Sequence, residues 1–176
     1  GETLSSVVTR TATTFTSDDV VDRGDGTELN PFWIETVSDL EKVGTGDDGF
    51  GATSHYILKN DLDLAAEGYG PEGLSWTPIG KQFGGNTKFA GVFDGQGHTI
   101  SNLYILDNSG TEKWGLFHEI SVDGTVKNLT LKDVDITSNG FRIGGIAGYS
   151  KGLLFSASSA SLISISSSTS AYSPLK

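Results

Sequence analysis

Residues 89–105 read FAGVFDGQGHTISNLYI, and this stretch decides the fold class. Two short apolar runs flank a glycine-rich corner at residues 94–98. Short apolar runs separated by tight glycine turns are typical of β-strands. The same pattern returns at residues 114–131 and begins a third time at residues 143–149. We therefore predict an all-β chain.

The first two rounds of the pattern can be aligned by residue number. Four positions find a similar residue 26 positions later: Ile100 and Val126, Asn102 and Asn128, Leu103 and Leu129, Ile105 and Leu131. A strand-built period of about 20–30 residues predicts a solenoid with one repeat per coil. Parallel stacking would place Asn102 over Asn128. A β-sandwich with similar turns is the alternative.

The composition favours an exported chain. The formal charge is −10 and the sequence pI is about 4.5, so we expect no basic surface for nucleic acid or an anionic membrane. No apolar run approaches the ~20 residues needed to span a bilayer. The absence of cysteine excludes disulfides and thiolate metal sites. Because methionine is also absent, we expect that an export signal has been removed and that the chain is extracellular or at the cell surface.

Three segments are predicted along the chain. Residues 1–22 are polar and rich in β-branched residues, which indicates an N-terminal β-prone arm. Residues 23–150 form the solenoid body. Residues 151–176 form either a last coil or a serine-rich C-terminal arm.

One short helix is predicted near the start of the body. Val37, Leu40 and Val43 recur at helical spacing and would share one face. Ser38 stands at a candidate N-cap position, and Glu41, three residues on, would complete a capping box.

Residues 55–64 are predicted to form a strand of period two, with apolar side chains inward and charged side chains outward. Asp61 and Asp63 then share the outer face. They are the metal candidates, since two carboxylates could bind Ca²⁺ if Asp47 or Asp48 approached. No other cofactor is expected.

The body resembles the GLUG-type repeats of bacterial and archaeal surface proteins. The similar elements are GDGTELNPFWI at residues 24–34, DLDL at 61–64, WTPIG at 76–80, residues 89–103, and the GLFG-like and GGLVGY-like elements at 114–117 and 143–149. This resemblance implies a short right-handed parallel β-helix, usually found in adhesins and S-layer-like proteins. The family has no agreed catalytic residues, so none is assigned. The chain has only two or three repeats and residues 151–170 leave the pattern, which argues against a pure spacer role.

A β-helix enzyme, of the lyase or hydrolase type, is one alternative. Cutting acidic polysaccharides needs clustered carboxylates, either for calcium or as an acid/base pair. The candidate pairs are Asp94 with His98, His118 with Glu119, and Asp61 with Asp63. The simpler interpretation is that Asp94 caps its own turn and that His98 is a solvated corner residue.

A carbohydrate-binding module is the other alternative. Exposed Trp33, Trp76 and Trp114 would form a sugar platform, although their apolar neighbours favour a place in the core. Asn128 begins the sequon Asn-Leu-Thr and is a glycosylation candidate if the host modifies exported proteins. Its simpler role is to stack on Asn102 at a corner.

The ends of the predicted solenoid suggest self-assembly. A β-helix exposes unpaired strand edges on its first and last coil, and an arm can donate a strand to a neighbouring subunit. We therefore expect a non-enzymatic structural or adhesive protein. It would form a homo-oligomer or filament through its terminal arms, with a glycan or host surface as ligand.

Overall fold

The computed structural model describes residues 23–81, 87–108, 113–155 and 161–167, with only the backbone described at residues 155 and 161–167. The arm predicted for residues 1–22 therefore lies outside the described residues. Strands dominate the described part of the chain, which contains one short α-helix and two 3₁₀ helices. The predicted all-β class is confirmed.

Fourteen short strands follow one another along the described chain. Their bounds are β1 Phe32–Ile34, β2 His55–Leu58, β3 Leu62–Asp63, β4 Val92–Asp94, β5 Thr99–Ser101, β6 Tyr104–Asp107, β7 Lys113–Trp114, β8 Phe117–Ile120, β9 Thr125–Lys127, β10 Thr130–Ser138, β11 Arg142–Ile143, β12 Ala147–Ser150, β13 Leu153–Phe155 and β14 Ser161–Ser167. The α-helix α1 is Val37–Lys42, and the 3₁₀ helices are Asp47–Gly49 and Leu64–Glu67.

All strand pairings among the described residues are parallel. The first sheet has the order β1-β2-β4-β9-β13, and the second has the order β14-β10-β5-β3 with β6 also beside β10. Two further pairs join β11 to β7 and β12 to β8. In the first sheet each hydrogen-bonded neighbour comes later in the sequence, and the buried residues Phe32, Tyr56, Phe93 and Val126 lie in register.

The core includes a column of aromatic rings beside its leucine and isoleucine side chains. Tyr56, Phe93 and Phe117 are fully buried, and Phe89 is nearly so. Ring centroids lie 4.9 Å apart for Phe89 and Phe117, and 5.7 Å apart for Phe93 and Phe117. Such pairs add about 0.5–1.5 kcal/mol beyond the apolar area they bury. Aromatic packing between passes is thus a main source of stability.

The predicted offset between the two rounds is wrong. Ile100 pairs with Leu131 rather than with Val126, and Ile105 pairs with Ile136 rather than with Leu131. The strands therefore repeat at a longer interval than the sequence match suggested. Ser101 pairs with Lys132, and the Asn102 backbone amide donates to the Lys132 carbonyl at 3.0 Å. The residue beside Asn102 in this register is therefore Asp133.

The false match arose because one short motif serves two different corners. Asn102 lies between β5 and β6, whereas Asn128 lies between β9 and β10. Both have a left-handed backbone, with φ of 59° and 52°, which asparagine tolerates better than most residues. Each is followed by a leucine buried in the core, Leu103 or Leu129. The same requirement, a left-handed corner followed by a buried leucine, explains the same two residues at positions that are not neighbours in the sheet.

The predicted helix is present, but it begins at a different cap. Thr36 is the N-cap: its Oγ1 accepts from the Asp39 amide at 3.1 Å, and the Asp39 carboxylate accepts from the Thr36 amide at 3.0 Å. The predicted pair of Ser38 and Glu41 therefore does not cap α1. Two overlapping capping-box patterns occur here, and the earlier one is used. The predicted apolar face of α1 is buried as expected.

Gly95 allows two passes of the chain to touch. A Cβ atom at this position would lie 2.5 Å from the Asn128 carbonyl oxygen and 2.6 Å from the Leu129 Cα. Because these are backbone atoms, Gly95→Ala is expected to lower the free energy of unfolding by about 1–3 kcal/mol. Urea denaturation measures this loss. Gly51→Ala is the control, since its Cβ would come no closer to a neighbour than 3.4 Å, at the Ser54 hydroxyl; equal losses for both variants would contradict the argument.

Candidate functional site

A shallow groove lies on the outer face of the second sheet. Its volume is about 390 Å³, and its polar lining comes from β3, β5, β10 and the corners beside them. Parallel pairing aligns Asp63, Ser101 and Lys132 in one row across three strands. Inward-facing leucines and isoleucines on the same strands leave these polar side chains outside. The groove contains both sequence-predicted metal candidates, Asp61 and Asp63.

Asp61 and Asp63, two of the three aspartates that line the groove, accept hydrogen bonds from the backbone nearby. Asp61 Oδ1 accepts from the Thr99 amide at 2.9 Å and lies 3.0 Å from His98 Nδ1. These hydrogen bonds lower the pKa of Asp61 below its ordinary value. Asp63 Oδ1 accepts from the Ala65 amide at 3.0 Å and from the Asn102 amide group at 2.7 Å. One oxygen of each carboxylate is therefore used in fixing the fold.

The sequence predicted calcium binding at this groove only if Asp47 or Asp48 approached Asp61 and Asp63. Neither Asp47 nor Asp48 lines the groove, and the Asp48 carboxylate pairs with Lys42 at 3.0 Å. Within the described ranges, no group of three or more His, Cys, Asp or Glu residues is arranged to hold a metal ion. Calcium binding by Asp61 and Asp63 stays a prediction.

Asp94 and His98 do not form the predicted acid/base pair, because His98 turns towards Asp61. Asp94 Oδ1 instead accepts from the Gln96 amide and from the Asn128 side chain, each at 3.0 Å. Burial would raise the pKa of Asp94, but these hydrogen bonds together with the Lys127 ammonium, 3.3 Å from Oδ2, outweigh it and lower the pKa. Asp94 closes its own turn, as the simpler interpretation expected.

Asn128 contacts Asp94 rather than Asn102. Its side-chain amide is part-buried and donates to the Asp94 carboxylate, so the corner contact predicted from the sequence has a different partner. Glycosylation at Asn128 stays a prediction.

Glu119, a buried residue of β8, was considered in the sequence only as the partner of His118. The Glu119 side chain is 5% exposed, its Oε1 lies 3.0 Å from Lys88 Nζ, and its Oε2 pairs with Lys113 Nζ. Burial raises the pKa of Glu119, but the hydrogen bonds from Lys113 and Lys88 exceed this effect and lower the pKa below its ordinary value. Glu119 is therefore an ion-pair centre rather than the acid of a His118 pair.

Cations also lie over two aromatic rings near this carboxylate. Lys81 Nζ is 3.3 Å from the Trp114 ring centroid, while Lys113 Nζ and Arg142 Cζ are 5.7 and 5.0 Å from that of Tyr149. Strand pairing brings Lys113 beside Arg142, although they belong to different passes of the chain. This local concentration of cations is not evident from the net charge of −10. It could have been predicted from the sequence only if the strand pairing of Lys113 with Arg142 had been known.

The three tryptophans do not form one platform. Trp76 and Trp114 are buried in the core, and Trp76 Nε1 donates to the Leu116 carbonyl at 3.1 Å. Trp33 is half-buried and has the Lys59 ammonium 4.4 Å from its ring centroid. The interpretation that placed these residues in the core holds for two of them.

Comparison with known proteins finds similarity to a halomucin and to a putative membrane protein. The chain is 35% identical over 133 residues to Halomucin of Haloquadratum walsbyi (strain DSM 16790 / HBSQ001), covering 74% of this chain and 1% of that protein. It is 34% identical over 133 residues to the Putative Gly-rich membrane protein of Evansella cellulosilytica (strain ATCC 21833 / DSM 2522 / FERM P-1141 / JCM 9156 / N-4), covering 74% of this chain and 14% of that protein. This chain therefore spans only a small part of the length of either relative.

Two further comparisons gave no match. No protein-family model matches the chain, so membership of the GLUG-type family stays a prediction. No solved structure matches it either.

None of the helices among the described residues has the length and apolar character of a membrane-spanning segment.

Proposed function

We propose that this chain is a non-enzymatic, extracellular structural or adhesive segment of a prokaryotic cell-surface protein, built as a short right-handed parallel β-helix. The observation that carries the proposal is the parallel stacking in the first sheet, where Phe32, Tyr56, Phe93 and Val126 follow one another in register. Stacked repeats of this kind are extended and contact only their neighbours. Such a body suits a structural role.

The relatives support a surface location. One is named Halomucin and the other a putative membrane protein. Because the matched region is 1% and 14% of their lengths, we infer that the segment acts as one part of a larger surface architecture in those proteins. We extend that role to this chain.

Self-assembly through the ends is the sharper form of the proposal. Among the described strands, β1 and β13 are the outermost members of the first sheet, and edge strands favour pairing with another chain. Leu153 and Leu154, on β13, are 56% and 45% exposed. Strand donation by a terminal arm would cover these edges and join subunits into a filament.

Electron microscopy tests this form directly. The full chain is compared with a version that lacks residues 1–21, at equal concentration. Filaments that disappear on removal of these residues would support strand donation. Separate particles in both samples would contradict it and would direct work to glycan binding.

Glycan binding at the groove is the second candidate function. The observation that favours it is the polar groove of about 390 Å³ with Asp61 and Asp63 in its lining, since convergent polar groups in a concave surface are typical of ligand sites. A carbohydrate-active β-helix enzyme would use the same space. Binding or cleavage of an acidic glycan that is lost in Asp61→Ala or Asp63→Ala, in variants that thermal melting shows to be folded at the assay temperature, would favour this function over the structural one.

A further inference from the structure

The turn that leads into β11, together with the first residue of that strand, presents an aromatic ring and a cation to solvent. Phe141 is 87% exposed, and Arg142 beside it is also exposed. The turn is anchored because the buried Ser138 hydroxyl accepts from the Gly140 amide at 2.8 Å and donates to Asp107 at 3.0 Å. Phenylalanine and arginine are enriched in protein interfaces. We call Phe141 and Arg142 the exposed turn.

The Arg142 side chain is held against an aromatic ring, which makes this turn suitable for recognition. Its guanidinium carbon lies 5.0 Å from the Tyr149 ring centroid, and Lys113 lies beside it on the paired strand. A cation held against an aromatic face loses less conformational freedom when a partner arrives. Arg142 therefore gives the exposed turn a positive charge held against an aromatic face, whereas the neighbouring Lys113 is paired with Glu119.

A hollow of complementary chemistry lies on the second sheet. Its volume is about 150 Å³, and its lining includes Tyr69, Pro71, Leu103, Tyr104, Asp133 and Asp135. The Tyr69 hydroxyl donates to Glu41 at 2.5 Å, and its ring lies 5.4 Å from that of Trp76. Rings and proline form the walls, and carboxylates supply negative charge. We call this cavity the tyrosine hollow.

We propose that the exposed turn of one copy docks into the tyrosine hollow of a second copy, with Phe141 against the ring walls and Arg142 paired with Asp135. Phe141 does not occupy the hollow of its own chain, since it is 87% exposed. Both halves of the contact are present in one sequence, and their charges are opposite. This charge complementarity selects a second copy as the occupant.

The contact joins two different surfaces and is heterologous. Heterologous contacts add subunits in open series unless a ring closes. This inference rests on the proposed self-association, but it concerns contacts through the sheet faces, whereas strand donation acts through the ends. The two contacts can therefore fail separately.

A charge-swap experiment on the full chain tests the contact. Sedimentation equilibrium compares wild type with Phe141→Ala, Arg142→Glu and Asp135→Lys. Each substitution is expected to weaken self-association about tenfold or more, since close charge pairs and buried aromatic anchors dominate interfaces. An equimolar mixture of Arg142→Glu and Asp135→Lys chains should associate again, because the unchanged Arg142 of one chain meets the unchanged Asp135 of the other, and the two substituted positions carry opposite charges. Association of the wild type should also weaken between about 0.15 M and about 1 M salt, where the Debye length falls from about 8 Å to about 3 Å.

The controls carry the same charge changes at other exposed positions. Lys151→Glu matches Arg142→Glu, and Asp123→Lys matches Asp135→Lys. Wild-type chains that stay monomeric at millimolar concentration would overturn the proposal, as would equal weakening by the controls or failure of the mixture to associate. Thermal melting confirms that each variant is folded, and Phe141→Ala provides a neutral second variant.

Two outcomes separate this contact from neighbouring ideas. If removal of residues 1–21 leaves association intact while Phe141→Ala abolishes it, the docking contact stands and strand donation fails. If wild type is monomeric but is retained on a carboxylated polysaccharide, and Arg142→Glu is not, the docking contact is overturned and the exposed turn is assigned to a glycan.

Discussion

Replacing Phe117 with alanine is expected to lower the free energy of unfolding by about 3–5 kcal/mol, because a fully buried ring is lost and a cavity remains. Phe117 is 0% exposed and contacts the rings of Phe89 and Phe93, which both lie on an earlier segment of the chain. A domain of ordinary size is stable by only about 5–15 kcal/mol. The loss therefore removes a large share of the total stability.

Urea denaturation followed by tryptophan fluorescence measures the effect. Phe141→Ala is the matched control, since it is the same chemical change at a ring that is 87% exposed, and its effect on stability should stay within about 0.5 kcal/mol. A loss below about 1 kcal/mol for Phe117→Ala would show that the aromatic column is not a main contributor to stability.

Replacing Glu119 with glutamine is expected to destabilise the protein at neutral pH and to flatten its response to acid. The substitution removes the charge that Lys88 and Lys113 share. Hydrogen bonds to charged groups contribute about 1.5–3 kcal/mol each, and the half-exposed Lys88 can return to solvent, so we expect a net loss of about 2 kcal/mol.

The direction of the acid response follows from the pKa of Glu119. The folded state lowers this pKa below its ordinary value of 4.5. A lowered pKa contributes stability that is fully present above the unfolded value and is lost as pH falls through the folded one. Wild type should therefore lose stability below about pH 4.5 more steeply than Glu119→Gln. Parallel profiles would contradict the ion-pair role.

The control for this experiment is Glu72→Gln. Glu72 is exposed in the loop after the second 3₁₀ helix, so its substitution should change stability by no more than about 0.5 kcal/mol. Urea midpoints measured for all three proteins between pH 3 and pH 7 give the comparison.

Features set by neighbouring residues were predictable from the sequence. The helical spacing of Val37, Leu40 and Val43 predicted α1, and the alternation after His55 placed Asp61 and Asp63 outside. In each case the signal lies within a few residues, where periodicity reports directly which side chains are buried.

Features set by pairing between passes were not predictable. The repeated Asn-Leu motif led to a wrong register because its cause is local, a left-handed corner followed by a buried leucine. The ion pair between Glu119 and Lys88 was missed because Lys88 lies on an earlier segment of the chain, far away in sequence. The charge environment of a parallel sheet depends on register, and a register error changes every neighbour.

The strands of the first sheet stay in register although the segments that connect them differ in length. Phe32, Tyr56, Phe93, Val126 and Leu154 occupy consecutive strands, yet the intervals between their residue numbers are unequal. The longest interval, from Tyr56 to Phe93, contains the loop around Pro71. Connections can therefore gain or lose residues without sliding the strands they join, since longer surface loops cost little free energy. Evolution can remodel the exterior of such a protein by insertion while its frame stays unchanged.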